Sequence, residues 1–230
     1  MRRGPGLSTL VRHLWRDGAT LSRTFMNLAL ADIPVLAGTV LDVGAGEHPS
    51  YWNFVSLAPG ARLLTLDRVA GNHPHVVADI ERGLPFRDGT IDTTLLFNVL
   101  EHIFDHRRVI REIGRVLRPN GVLYVAVPFL VAVHTKAEPQ FFVDDFFRYS
   151  RSGLVRLLAE EGRFDEVEVM EQGGLFLSVA NLLQPALKLR AVWIPAVCLA
   201  YLLDLLADRR FPPNREKWVM GYVVTARKAG

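Results

Sequence analysis

Three short apolar runs, each carrying an aspartate at or near its carboxyl end, constrain this chain most. They are Val40-Leu41-Asp42-Val43, Leu63-Leu64-Thr65-Leu66-Asp67 and His75-Val76-Val77-Ala78-Asp79. Runs that are apolar almost throughout, rather than at alternate positions, read as strands of a sheet covered on both faces. Two more follow at Ile91 to Phe97 and Gly121 to Val127, the latter closed by Pro128. Between them Val109, Ile110, Ile113, Val116 and Leu117 recur at helical spacing, with Asp105 placed as N-cap and Arg118-Pro119-Asn120-Gly121 as a stop. Leu154, Leu157 and Leu158 form another helical stripe after Ser152, with Gly162 as C-cap, and a strand follows around Val167 to Met170. Strands alternating with helices predict an α/β fold, a Rossmann-like doubly wound sheet that is mostly parallel.

Composition narrows the field. The 230 residues fit one domain with additions. We divide it into an N-terminal helical cap (1–38), a ligand-binding core (39–171), an apolar helical insertion (172–212) and a last strand with its tail (213–230). A hydrophobic fraction of 50% against 22% charged residues supports a large core and excludes bulk disorder. A net charge of +3, with no Lys/Arg-dense stretch interleaved with aromatics, gives no reason to expect a nucleic-acid partner. The single cysteine, Cys198, has no internal disulfide partner, which suits a cytoplasmic setting. Arg2, Arg3, Arg12, Arg16 and Arg23 make the start basic, but Arg12, His13, Arg16 and Asp17 interrupt any apolar core of a secretion signal. The reading is a helical cap with a solvated basic face. No metal is expected, because no His/Cys/carboxylate ligand spacing is evident.

In an open α/β sheet, ligands bind beyond the carboxyl ends of the strands. The first strand leads into Gly44-Ala45-Gly46, whose glycines permit a tight turn and close approach of a ligand. A helix N-terminus is expected near Pro49, offering free N–H groups to a carboxylate or phosphate. Pro49 also stands where a dinucleotide fingerprint has a small residue, which disfavours a dehydrogenase. Asp42, at the end of a buried strand, must be paired or hydrogen-bonded, and it favours a cationic ligand over one bearing phosphates. Asp67 is placed to accept ribose hydroxyls, Asp79 to accept from an adenine amino group, and Ile80 to pack on the base. Phe97-Asn98-Val99-Leu100-Glu101-His102 adds a polar cluster at the fourth strand end. Singly, each aspartate reads as a loop cap; three in succession form a pattern.

These residues resemble a known family. Val40 to Gly46 is similar to the first S-adenosylmethionine (SAM) motif of class I methyltransferases. Asp79 with Leu84-Pro85-Phe86, Asp92, Asn98 to His102, and Leu117 to Leu123 resemble the methyltransferase type 11 subgroup. The resemblance implies a seven-stranded sheet with an antiparallel last strand, which Trp218 to Thr225 can supply. It also implies SAM contacts at Asp42, Gly44, Gly46, Asp67, Asp79, Ile80 and Asn98, to which the adjoining Ala45, Arg68 and Phe97 are joined. His48 departs from the pattern, standing where many members have a glycine or small residue.

A further stretch, Pro128-Phe129, His134 and Asp145-Phe146-Phe147-Arg148-Tyr149-Ser150, resembles bacterial methyltransferases of glycan and lipid-linked saccharide pathways. The implied reaction is methyl transfer to an oxygen or nitrogen of a small-molecule, glycan or lipid-linked acceptor. In-line displacement requires reacting atoms roughly 3–3.5 Å apart, and a positioned base adds about 10²–10⁴-fold. His134 is the first candidate base and His102 the second, each weighed against a structural histidine. Phe129, Arg148 and Tyr149 are candidate substrate residues, Arg148 pairing either with an acidic substrate group or with Asp145. Phe141, Phe142, Phe146, Phe147 and Tyr149 are read as a wall over the acceptor pocket.

Leu175 to Leu206 is apolar but interrupted by Lys188 and Arg190, and neither half reaches the roughly 20 apolar residues of a spanning helix. Three readings stay open: a cap over the pocket, a membrane-surface hairpin over 175–207, or a homodimer interface. The alternative to an enzyme is a non-catalytic SAM-fold protein that scaffolds partners through this segment.

Overall fold

The computed structural model describes residues 5–47, 49–133, 136–138, 141–187, 189–210 and 217–230. Two helices, α1 (Leu7–Asp17) and α2 (Leu21–Leu30), precede β1 (Thr39–Val43), β2 (Arg62–Asp67), β3 (Val76–Val77) and β4 (Ile91–Phe97). Then come α3 (His106–Val116), β5 (Leu117–Pro128), a small hairpin of β6 (Lys136–Glu138) and β7 (Phe141–Val143), α4 (Arg151–Gly162) and β8 (Phe164–Gln172). The chain continues through α5 (Leu175–Leu183) and α6 (Arg190–Arg210) to β9 (Gly221–Lys228).

Seven strands form one sheet in the order β3-β2-β1-β4-β5-β9-β8. The pairs from β3 through β5 are parallel, whereas β9 runs antiparallel to both neighbours. The sheet is thus mostly parallel with one reversed strand, the last. Successive side chains go to opposite faces, as strand geometry demands. Leu41, Leu96, Leu123 and Val125 pack with α3 and α4 residues such as Ile110 and Leu158. Val40, Leu95, Tyr124 and Ala126 pack on the other face with Met26 and Leu30 of α2. Both faces of the central strands are covered, so β1 and the second half of β5 are apolar almost throughout, whereas the edge strand β8 carries Asp165, Glu166, Glu168 and Glu171.

Asp105 caps α3 as expected, accepting from Arg108 N at 3.3 Å. Four details differ from the sequence reading. The third strand is only two residues long, because Thr65 and His75 bond through their side chains (His75 N to Thr65 Oγ1, 3.0 Å) where a backbone ladder was expected. Arg118 to Gly121 is a bulge inside β5 rather than a turn before it: Ile91 pairs with Leu117, but Thr93 with Val122. Ser150 caps α4, and its left-handed C-cap residue is Arg163 rather than the expected Gly162. Gly162 is kept inside the helix by crowding, since a Cβ there would lie 2.2 Å from the Phe164 ring. Finally, the helix expected near Pro49 is one 3-10 turn, Ser50–Asn53.

A third cluster lies at the end of the sheet. Leu10, Leu14, Leu21 and Phe25 from α1 and α2 pack with Leu177, Trp193, Val197 and Ala200 from α5 and α6. Each buried side chain of this size contributes about 1.5–3 kcal/mol, so the cap and the insertion form one unit. α6 runs unbroken past Pro195 for 21 residues, which corrects the expectation of two short halves: by length and composition it could cross a membrane. Its inner face is nevertheless packed on protein.

Candidate active site

The turn after β1 is built on two left-handed glycines, Gly44 (φ 72°) and Gly46 (φ 65°). Gly44 N donates to Leu66 O at 2.7 Å, which holds the turn against β2. A Cβ on Gly44 would lie 2.5 Å from Val99 Cγ2, whereas one on Gly46 would meet nothing within 4 Å. The turn is therefore packed beneath Gly44 and open above Gly46. Asp67 clamps it from the neighbouring strand: Oδ2 accepts from Gly46 N (2.9 Å) and Oδ1 from Val69 N (2.8 Å). A carboxylate has about four acceptor positions, so capacity is left for a ligand. Asp79 accepts from Glu81 N (3.1 Å) and pairs with Arg82 at 3.4 Å. Ala45, Phe97 and Ile80 are buried, Asn98 is partly buried and Arg68 is exposed.

Asp42 is fully buried. Its oxygens accept from the Tyr51 hydroxyl (2.7 and 2.9 Å) and from Trp52 Nε1 (3.0 Å). Burial pushes its pKa up to about 6 against the pull of these donors. Tyr51 itself meets Phe97 edge-on at 5.0 Å. The short turn after Pro49 is what delivers Tyr51 and Trp52 to Asp42, a role that no sequence periodicity announced.

At the end of β4, Asn98 adopts φ 54° and its Nδ2 donates to Glu101 Oε1 at 3.2 Å. Glu101 is fully buried, and its Oε2 has no hydrogen-bond partner among the described residues. Burial raises its pKa to about 7. His102 Nδ1 lies 2.6 Å from the Asp144 carbonyl oxygen, so Nδ1 donates there, and Nε2 is 3.9 Å from Glu101 Oε1. His134, the first candidate base, lies outside the described residues.

The candidate substrate residues do not themselves line the cavity beside this site, although Arg148 Nη2 donates to Ala132 O on its wall (3.4 Å) and Phe129 N to Met220 O (2.7 Å). The Tyr149 hydroxyl donates to Leu100 O within the main core (3.1 Å). Arg148 forms a two-pronged ion pair with Asp145 and donates to Phe147 O (2.9 Å). Phe129 lies against Tyr222 at 5.8 Å. Of the expected aromatic wall, Phe146, Phe147 and Tyr149 gather around Phe104 and His106, and the side chains of Phe141 and Phe142 lie outside those described. Aromatic faces found enough apolar partners there without reaching into the cavity.

The cavity, about 510 Å³, opens at the carboxyl ends of β4 and β5 and at the junction of β8 and β9. Asn98, Ala126, Pro128, Gln172 and Met220 form its floor, Arg23 and Met26 of α2 and Asn181 and Leu182 of α5 its roof. Asn98 is the one member shared with the proposed cofactor contacts. Arg23 was read as part of a solvated face. It is instead half-buried at this cavity, because α2 packs its apolar side on the sheet and turns Arg23 toward the strand ends.

A seven-stranded sheet whose only reversed strand is the last, with a glycine turn after β1 and carboxylates at successive strand ends, defines the class I SAM-dependent methyltransferase fold. The comparisons with known proteins agree. Residues 41–125 match the family described as "Methyltransferase domain", so the core of this chain is a methyltransferase domain of the type 11 kind. A Mycolicibacterium smegmatis protein named "Probable S-adenosylmethionine-dependent methyltransferase" is 35% identical over 98 residues, 39% of this chain. The match spans 37% of that relative's length. Among solved structures, a SAM-dependent methyltransferase from Archaeoglobus fulgidus superposes with a TM-score of 0.56 at 15% identity, covering 95% of this chain and 98% of the other. The methyltransferase in complex with the Haloferax volcanii Trm112 activator gives 0.56 at 17% identity and full coverage of both chains. At these identities the superpositions establish the fold.

SAM is the cofactor of this family. The open space above Gly46, beside the acceptor positions of Asp67, fits such a ligand.

Proposed function

We propose that this chain transfers the methyl group of SAM to an oxygen or nitrogen of a small-molecule, glycan or lipid-linked acceptor. The observation that carries this reading is the adjacency of two compartments. The glycine turn with Asp67 lies at the ends of β1 and β2, a cavity of about 510 Å³ lies at the ends of the neighbouring β4 and β5, and Asn98, a proposed cofactor contact, lines that cavity. Gly44, Ala45, Gly46, Asp67, Arg68, Asp79, Ile80, Phe97 and Asn98 would hold the cofactor, with the Asp42 charge behind the turn. When bound, SAM supplies a methyl carbon activated by positive sulfur. The chain's own work is then alignment and exclusion of water, which α2 and α5 perform as the roof of the cavity. An alcohol acceptor also loses a proton. That falls to His134, or to His102 beside Glu101, whose pKa near neutrality suits a proton acceptor.

Incubation of the protein and labelled SAM with cell extract, followed by identification of the labelled product, tests the activity. Absence of saturable binding of both SAM and S-adenosylhomocysteine by calorimetry overturns the reading. Binding without any labelled product favours the scaffold alternative.

A lipid-linked acceptor is favoured by the outer face of α5 and α6. Val192, Pro195, Leu199, Leu202 and Leu206 form an exposed stripe at three- and four-residue spacing, and Leu175, Val179, Leu182 and Leu183 are exposed on α5. Leu182 also lines the cavity, so the apolar face reaches its wall. The rim is rich in arginine: Arg190 donates to Trp15 O (3.1 Å), which places exposed Trp15, with Arg12 and the Arg16–Asp17 pair, at one end of α6, and Arg209 and Arg210, after Asp208, end the other. An apolar stripe with an aromatic and arginines at its border matches the surface of an anionic bilayer. We place the protein on the cytoplasmic side of such a membrane. Flotation with phosphatidylglycerol vesicles is expected to carry the wild type and to leave L199D/L202D/L206D behind. Failure of the wild type to float overturns the membrane reading, and a dimer that masks Leu199 replaces it with a second copy of the chain.

A further inference from the structure

Arg23 presents its guanidinium to the cavity under α2 and α5. Among the described residues its side chain makes one hydrogen bond, from Nη1 to Met26 Sδ at 3.8 Å. A thioether is a weak acceptor, and a guanidinium has five donors in a planar fork. The unmatched group of this wall is thus a cationic donor, which an oxyanion in the cavity would satisfy. Planar, two-pronged recognition of carboxylate or phosphate is what the arginine fork does best. Of the proposed cofactor contacts only Asn98 lines this cavity, which favours the acceptor over the cofactor as the source of that anion.

We propose that Arg23 forms an oxyanion subsite for the acceptor, and that the molecule methylated here carries a carboxylate or phosphate group. This rests on the methyltransferase reading above, and it narrows the substrate class to anionic acceptors. The internal rivals are Glu101, which has an unpartnered oxygen, and Tyr51; both interact electrostatically with Arg23, and no hydrogen bond joins either to it among the described residues.

The test uses the full chain saturated with S-adenosylhomocysteine. Inorganic phosphate and, separately, acetate are titrated and followed by calorimetry. Saturable binding of at least one anion is expected for the wild type. R23Q should weaken it roughly tenfold or more, and R23K less. Affinity for S-adenosylhomocysteine should stay within about twofold in both, with cooperative melting showing that each is folded. No anion binding by the wild type, or equal binding by R23Q, overturns the proposal. So does an R23Q that weakens S-adenosylhomocysteine but not methylthioadenosine, since the fork would then hold the amino-acid end of the cofactor. An R23Q whose only effect is a loss of stability that vanishes in an E101Q background also overturns it, leaving a structural pair. If the wild type fails to bind S-adenosylhomocysteine at all, the function proposed above fails instead.

Discussion

The Tyr51 hydroxyl lies 2.7 Å from one oxygen of Asp42 and 2.9 Å from the other, and both groups are buried. Asp42 ends the apolar stretch of β1, and Tyr51 comes from the 3-10 turn that stands where a longer helix was expected. The interaction ties that turn to the strand end that supports the glycine turn. Tyr51→Phe leaves part of a buried carboxylate without its donor. We expect a loss of about 1–3 kcal/mol in urea denaturation at pH 7.5, and a smaller loss at pH 4.5, where Asp42 is protonated. An equal loss at both pH values would show that the carboxylate is not the partner that matters.

Asp42 and Glu101 both have raised pKa values, about 6 and about 7. A carboxyl whose folded-state pKa exceeds its unfolded value binds more protons when folded. The stability it lends is present below the unfolded pKa and is lost as pH rises through the folded one. Denaturation followed against pH should therefore show stability falling between about pH 4 and 7 from these two groups. Asp42→Asn should flatten the part that ends near pH 6, and Glu101→Gln the part that ends near pH 7. Unchanged profiles in both variants would contradict the burial argument.

Gly44 combines φ 72° with a Cβ position 2.5 Å from Val99 Cγ2. Gly44→Ala must shift the turn that presents Gly46 to open space. Calorimetry should show S-adenosylhomocysteine binding weakened about tenfold or more, with only a modest change in melting temperature. Retained affinity would mean that the turn is not the cofactor's cradle.

α3 and α4 cross closely at Gly114, where a Cβ would lie 2.6 Å from Gly162 O. Helix propensity alone makes Gly→Ala stabilising by about 1 kcal/mol in a helix interior. Overpacking against backbone costs about 1–3 kcal/mol. We expect the second effect to win, so Gly114→Ala should melt at a lower temperature than the wild type. A higher melting temperature would show that the helices separate cheaply.

Asp204 of α6 accepts from Phe176 N and Leu177 N, both at 2.9 Å, at the start of α5. It supplies from another helix the cap that Gly174 lacks a side chain to provide. Asp204→Ala should cost about 1–2 kcal/mol in denaturant melts and speed amide exchange in α5. Unaltered exchange there would assign the cost to α6 alone.

The sequence by itself determined the sheet and the positions of the strand-end carboxylates. Both are set by short-range pattern: apolar runs must be buried, and glycine and aspartate at their ends dictate turns and caps. Val40 to Gly46, Asp67, Asp79 and Asn98 could therefore be read before any coordinates. Tertiary structure alone decided what those groups meet. That Tyr51 reaches Asp42 depends on how a short turn folds back. That Arg23 faces a cavity rather than water depends on which side of α2 packs on the sheet, and a basic residue in an amphipathic helix looks the same either way. Asp204 is equally silent in the sequence, because its partners, Phe176 N and Leu177 N, lie on another element. The long apolar helix α6 shows the same limit: its composition was visible, but only packing shows that one face is covered by α1 and α5 while Leu199, Leu202 and Leu206 remain exposed.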